Sequence, residues 1–484
     1  MAGQIVDGVD VAFEPRSRSA PEAGGPAAAG PSVRVAPSRA AIGDVVAALA
    51  RGEPAPAAVA NHAIVRLLSQ VAASPAPVVG VDAVPVGLAS EQRIEDYVAQ
   101  VRAVAEAPAN QGRPMVALAR FAADVANAQL AAIGVPVVDK GEGVLDDAAA
   151  HFVSNDWAMT VDVSDFAPEG VAAPTVADID PSKLSELGGT VYHEARHAEQ
   201  KFRQARLLAG RHHAELNPTP EPAPGDSAEL LALRVKVAQQ ERRLVVLRLA
   251  IELTIPERIM EHAAQRPLIP LDDPVSRLLG TVVYGLRELT VADLFQPVTA
   301  YERAVAAGER GVARHAEVFH ETERWWAQEP LEDLVYDRSG VIGSTLGALS
   351  AEADKAGSAD GMDVDVIRAQ REPMKQIVAD IDRELKRLKG APGRETMVEL
   401  LRELRQWVIE IGTLVKDLVR LENEPASRDR ASAIARRAEM VGLLVGIVEL
   451  HLSGSMYRQL LLEADAYAQG TRVRSTWDGP TAAP

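Results

Sequence analysis

Apolar residues recur at three- and four-residue steps along most of this 484-residue chain, the period of a helix with one buried face. Val45, Val46 and Leu49, then Val59, Ile64, Leu67 and Val71, begin the pattern. Helices are predicted at 90–106 and 115–133, the second stopped by Gly134-Val135-Pro136. The period changes at 150–164, where AHFVSNDWAMTVDVS sets β-branched and aromatic residues around Asn155-Asp156 and predicts a short β-hairpin. Asp180-Pro181-Ser182 then supplies a capping residue and a first-turn proline for a helix to about Gly210. Long helical segments follow at 227–253, 256–266, 274–328, 363–389, 394–422 and 428–470, with breaks at Pro267 and Pro270, Pro330, 357–361, 390–393 and Pro425.

The fold class expected is mainly α: a small core with one hairpin, embedded in long antiparallel helices. Its parts are an Ala/Pro/Gly-rich tail at 1–38, an N-terminal helical region at 39–134, a core at 135–216, a long-helix region at 217–454 and a C-terminal segment at 455–484. The tail has too little apolar content to offset its ordering entropy and is expected to be disordered. The helices of mixed sign, such as 382–390 and 394–407, are read as solvated faces of helix pairs.

Charge and composition narrow the function. The formal net charge of −17 argues against a general nucleic-acid binder and against docking on anionic lipid. Aromatics are only 4%, so Ala, Val and Leu must build the core. With no cysteine there is no disulfide framework, thiolate zinc finger or cysteine nucleophile, and any metal must be held by His and carboxylate. Charges interrupt the most apolar stretches, Glu449 in 443–452 and Arg248 with Glu252 in 244–255, so no membrane span is expected. The N-terminus lacks a signal-peptide pattern, so the expected location is cytoplasmic, with any export by a non-classical route. Nucleotide and serine-hydrolase motifs are absent. Trp325-Trp326 is read as core packing.

The chemistry concentrates in His193-Glu194-Ala195-Arg196-His197, an HExxH motif on the predicted helix. Residues four apart lie on one helix face, so two imidazoles there can share one zinc. Glu194 is rotated to the edge of that pair, where it can reach a water as a general base. Leu184, Leu187, Val191, Ala195, Ala198 and Phe202 form an apolar stripe nearly opposite the two histidines. The helix is therefore expected to bury one face and turn the histidines toward a cleft. Gln200 and Arg203 rule out the extended motif with a third histidine, so a third donor must come from elsewhere. His212, His213, Glu215, Glu261, His262, His320, Glu321 and Glu463 are the candidates.

TVYHEARHAEQKFRQAR resembles the HExxH segment of bacterial zincin-like metallopeptidase domains, in particular those found with extracellular contractile injection systems. YRQLLLEADAYAQG, at 457–470, resembles the tail motif of related domains, in which a Tyr-Arg pair precedes a Glu that completes the zinc site. The resemblance implies a gluzincin-type zinc metallopeptidase, an effector or accessory of an injection system, with protein or peptide as substrate and injection-system components as partners. It implies His193, His197 and Glu463 as Zn2+ ligands and Glu194 as the catalytic base. The run Glu463-Ala464-Asp465-Ala466 adds small residues that let a helix pack close to the metal helix, and Asp465 is expected as a supporting partner rather than a ligand. The gap of 266 positions, from 197 to 463, is long for this class. The alternative is a helical scaffold that keeps a zincin-like domain without proteolysis.

Overall fold

The computed structural model describes residues 87–479, apart from short stretches at 143–144, 146–147, 169–170, 172, 220–226, 290–296, 337–340, 356–361 and 392–393. The tail at 1–38 and the helical pattern at 45–71 lie outside the described residues. The described residues belong to one of the chain's two compact units, Ser74–Pro484.

The first core is laid down by α1 (Glu91–Glu106) and α2 (Met115–Ala132), followed by a three-stranded sheet. Strands β2 (Ala150–Val153) and β3 (Ala158–Val161) form the expected antiparallel hairpin. Trp157 closes its turn with φ 53°, a left-handed conformation unusual for a bulky side chain. Its ring is fully buried, edge-on to Phe152, and Nε1 donates to the Pro136 carbonyl at 3.2 Å. Strand β1 (Asp139–Glu142) pairs parallel with β3 and was not expected, because its sequence, DKGE, has no apolar alternation to announce it.

Helix α3 (Pro181–Arg211) carries the HExxH motif and starts where expected, with Asp180 accepting from the Ser182 amide at 2.8 Å. The expectation of one buried face is corrected. Leu187, Val191, Ala195, Ala198 and Phe202 are buried, but so are His193, Glu194, Arg196, Glu199, Gln200, Arg203 and Gln204 on the other sides. The helix runs through the interior, and its polar face meets an internal ion network rather than solvent.

Helices α4 (Ala228–Glu252) and α5 (Glu257–Gln265) complete the sequence-local part of this core. The predicted helix at 274–328 is instead two, α6 (Pro274–Arg287) and α7 (Pro297–Trp326). Pro297 has no amide hydrogen to give an interior turn, so it opens the second helix. Gly285 lies against the Ala304 carbonyl and Gly308 against that of Thr281, which makes the pair antiparallel and closely packed.

The chain then builds a separate core. It contains α8 (Glu329–Tyr336), α9 (Val341–Lys355), α10 (Val364–Ala369), α11 (Arg371–Leu388), α12 (Glu395–Glu422) and α13 (Arg428–Leu450). The period had not marked α8 and α9. Pro330, read as a break, stands in the first turn of α8, where proline is tolerated. Arg428–Gln459 is long and apolar enough, by length and composition, to cross a membrane. A core helix passes the same test; here Val441, Val445 and Val448 are buried in the second core, while Leu443, Ile447 and Leu450 on another face are exposed.

The helix predicted at 428–470 is also corrected. After α13 the backbone widens into a π turn at His451–Met456, tightens at Tyr457–Gln459 and straightens at Leu460 (φ −60°, ψ 138°). Helix α14 (Leu461–Asp478) then returns to the first core, where Val473 and Trp477 are buried.

Two glycines let α14 lie directly on α3. A Cβ on Gly189 would stand 2.7 Å from the Gly470 carbonyl, and one on Gly470 2.8 Å from that of Gly189. Neither carbonyl can yield without moving a helix. Gly189→Ala should therefore destabilise the fold by about 1–3 kcal/mol. Gly446→Ala, whose Cβ would meet nothing within 4 Å, should be neutral or stabilising by up to about 1 kcal/mol. Thermal melts of the two variants beside wild type check the contrast.

Candidate metal centre

Helix α3 carries His193 and His197 one turn apart, and the first turn of α14 brings Glu463 against them. His193 Nε2 and His197 Nε2 are 3.0 Å apart. Glu463 Oε2 is 3.6 Å from the first and 3.3 Å from the second. Among the described residues this is the group of three donors close enough to hold a metal ion. A tetrahedral ion bound at ~2.0–2.1 Å needs donors about 3.3 Å apart, and the three edges bracket that value. Glu463 Oε2 is buried with no hydrogen-bond partner, so a carboxylate oxygen aimed between two imidazoles has nothing else to bind. The donor chemistry suits zinc, though His₂Glu sites also take other divalent ions.

Glu463 and His197 are held from behind by hydrogen bonds, and His193 by ring packing. Tyr336, at the end of α8, donates to Glu463 Oε1 at 2.5 Å, which leaves Oε2 as the free oxygen. His197 Nδ1 meets Gln200 Oε1 at 2.9 Å, so Nδ1 carries the proton and Nε2 faces the other donors. Gln200 Nε2 in turn donates to Asp465 Oδ2 at 2.7 Å and to the Leu462 carbonyl at 3.0 Å. His193 packs against the Tyr467 ring, centroids 4.5 Å apart.

Glu194 sits beside the donor triangle rather than in it. Its Oε1 is 3.7 Å from His193 Nε2, and its Oε2 accepts from the Phe152 amide of β2 at 2.7 Å. The hairpin thus fixes the carboxylate that the motif assigns as base.

The electrostatics follow from burial in a crowded site. Burial, with His197 alongside, pushes His193 down to about 3. Burial lifts Glu194 to about 7, and the nearby Glu463 charge adds to that. For His197 burial works against the charged form, but Glu463 outweighs it and lifts the ring to about 9. Glu463 is pushed up by burial and held down more strongly by His197, at about 2. His197 and Glu463 thus each favour the charged form of the other, as expected of an imidazole and a carboxylate buried 3.3 Å apart.

A buried ion network underlies the site. Arg196 Nε pairs with Asp465 Oδ2 at 2.7 Å, and its NH1 with Glu199 Oε2 at 2.5 Å. Arg203 pairs with Glu199 Oε1 at 2.5 Å and with Glu321 at 2.7 Å. Both guanidinium groups lie over the buried Trp325 ring, 5.5 and 5.7 Å from its centroid.

The other third-ligand candidates lie elsewhere. His212 pairs with Glu215 and His213 with Asn217 at exposed positions. His262 meets the Gly134 carbonyl, His320 lies near Glu323, and Glu321 is taken by Arg203. Glu261 falls outside the donor group. Asp465 lies outside the donor group and binds Gln200 and Arg196. Sequence reasoning missed Gln200 and Tyr336. Gln200 had a usable signal, its place three residues beyond His197; Tyr336, 127 positions from Glu463, had none.

Burial disfavours the Glu199 charge, and Arg196 and Arg203 outweigh it, holding the carboxyl down at about 2. Because the folded value is depressed, its contribution is complete above the ordinary carboxylate range and is lost as pH falls from about 4.5 toward 2. Glu199→Gln should cost about 3 kcal/mol at neutral pH. Denaturant titrations between pH 7 and 2.5 should show the gap between variant and wild type narrowing across that window.

No family model matches the chain, and neither a curated protein nor a solved structure matches it.

Proposed function

We propose that the chain is a zinc-dependent metallopeptidase, with His193, His197 and Glu463 as the metal ligands and Glu194 as the base. The observation that carries the reading is the unpartnered Glu463 Oε2, 3.3 and 3.6 Å from two imidazole nitrogens that a single HExxH turn supplies. Zinc bound there supplies a Lewis acid that brings the pKa of a water toward ~7 and polarises a carbonyl. Glu194 takes the proton of the attacking water on Oε1, while the Phe152 amide keeps Oε2 in place. It then returns that proton to the leaving amine nitrogen. Tyr336 holds Glu463 in one orientation, and Gln200 holds His197 in one tautomer. The zincin-like character of the core is part of this proposal. It rests on the motif, on the strand that approaches the motif helix and on the tail glutamate. The role in a contractile injection system, the protein or peptide substrate, and export by such a device rest on the sequence resemblance.

The second reading is a scaffold that binds metal without hydrolysis. It draws on burial: His193, Glu194 and Glu463 are 8%, 6% and 4% exposed, as in a structural site. Tyr467, 39% exposed beside His193, marks the side from which a substrate would reach the donors.

Metal content separates the ligand assignments. Glu463→Ala and His193→Ala should each lose most zinc affinity, about a hundredfold or more in chelator competition. Glu215→Ala and Glu261→Ala should hold zinc like wild type. Retention in Glu463→Ala would remove the C-terminal helix from the site.

Glu194→Gln separates the two readings. It keeps the size of the side chain but cannot take a proton. Zinc content should stay near wild type while cleavage of a denatured protein substrate falls at least about a hundredfold. Chelator should abolish the wild-type activity, and zinc should restore it. A wild-type protein that binds zinc and cleaves nothing leaves the scaffold reading.

A further inference from the structure

Among the described residues, helix α4 meets the first core only near its C-terminal end, through Val246, Leu249 and Ala250. The rest of its length is mostly exposed, and it carries more apolar surface than an exposed helix needs. Leu230, Val237, Leu244 and Ile251 recur every seven residues and are 42%, 56%, 66% and 70% exposed. Leu233 and Leu247, 56% and 43% exposed, fall three residues after the first and third of these. Gln240 fills the equivalent place after Val237. This is an a/d heptad seam three heptads long, with one polar layer in the middle. The residues that touch the core lie on the other side of the helix, so the seam faces away from the body.

We propose that this seam is a dimer interface, a parallel two-stranded coiled coil with a second copy of the same chain. The charges beside the seam choose this occupant. In a parallel in-register pair, each g residue faces the e residue five positions on in the other copy. Glu229 then faces Arg234, and Lys236 faces Glu241, both of opposite sign. The third step sets Arg243 against Arg248, where each has a counter-charge in its own chain, Glu257 at 3.5 Å and Glu215 at 2.8 Å. An antiparallel pair would instead set Glu241 against Glu241 and Arg234 against Arg248. Gln240 meets its own copy only in the parallel register, and a lone polar layer fixes register and strand number. Three heptads are short, so the association is weak and concentration-dependent.

Sedimentation velocity on the full chain from about 1 to about 200 µM should show a monomer–dimer equilibrium. Leu244→Lys with Leu247→Lys should be monomeric throughout, with a melting curve like wild type because both positions are exposed. Lys236→Glu should weaken the dimer at least about threefold, and adding Glu241→Lys should restore it. The chain has no cysteine, so an engineered one reports direction cleanly. Leu247→Cys should oxidise to a linked dimer, whereas Gln239→Cys, off the seam, should not. A wild-type protein that stays monomeric at the highest concentration would overturn the proposal. So would a dimer that survives the double lysine variant, or one that Leu247→Cys fails to link.

Discussion

The distance between α3 and α14 decides whether this chain has a site at all. Two imidazoles on one helix supply two donors, and the third must come from a backbone close enough for a glutamate to reach between them. Gly189 and Gly470 allow that approach, each lying against the other's carbonyl. A methyl group at either position would push the helices apart by an appreciable fraction of a metal–ligand bond. The glycines also weaken both helices locally, by up to about 1 kcal/mol each relative to alanine. Burial of Trp477 against Gly188, and the bond from Arg102 to the Trp477 carbonyl at 2.8 Å, hold α14 in place despite that cost.

The polar interior of α3 serves the same geometry. Arg196, Glu199, Arg203 and Asp465 would be costly to bury singly, and each is paired within the network. Asp465 links this network to the candidate donors: it binds Arg196 and also Gln200, which orients His197. Displacing Arg196 would therefore reach His197 through a chain of three hydrogen bonds. The hairpin acts from the opposite side, through the Phe152 amide on Glu194.

Much of this was legible in the residues. The Asp180-Pro181 cap set the start of α3, and the four-residue spacing of His193 and His197 placed two donors together. The hairpin was visible in its β-branched and aromatic run, and the structure brings Glu463 within 3.6 Å of both histidine nitrogens. Other features carried no signal. Periodicity reports which face is apolar, but not whether the polar face meets water or a buried counter-charge. Arg196, Glu199 and Arg203 therefore read as surface. Strand β1 is polar along its whole length and exists through pairing with β3 alone. The break at 457–460 escaped notice because the apolar period runs through it, while Leu460 turns extended to redirect the chain.

The long gap between His197 and Glu463 takes its meaning from the two hydrophobic cores. The chain leaves the first core after α5, builds a second from Leu331 to Leu460, and returns with α14. The intervening helices therefore lengthen the path between the two candidate donors without enlarging the donor group. They are not a passive insert, however. Tyr336 ends a helix whose Leu331, Leu334 and Val335 are packed in the second core, yet its hydroxyl binds Glu463 Oε1. That bond divides the carboxylate, one oxygen committed to the tyrosine and the other turned toward the two histidines. The second core thus fixes which glutamate oxygen faces the histidines, and any shift of α8 against the first core would be felt first at that oxygen.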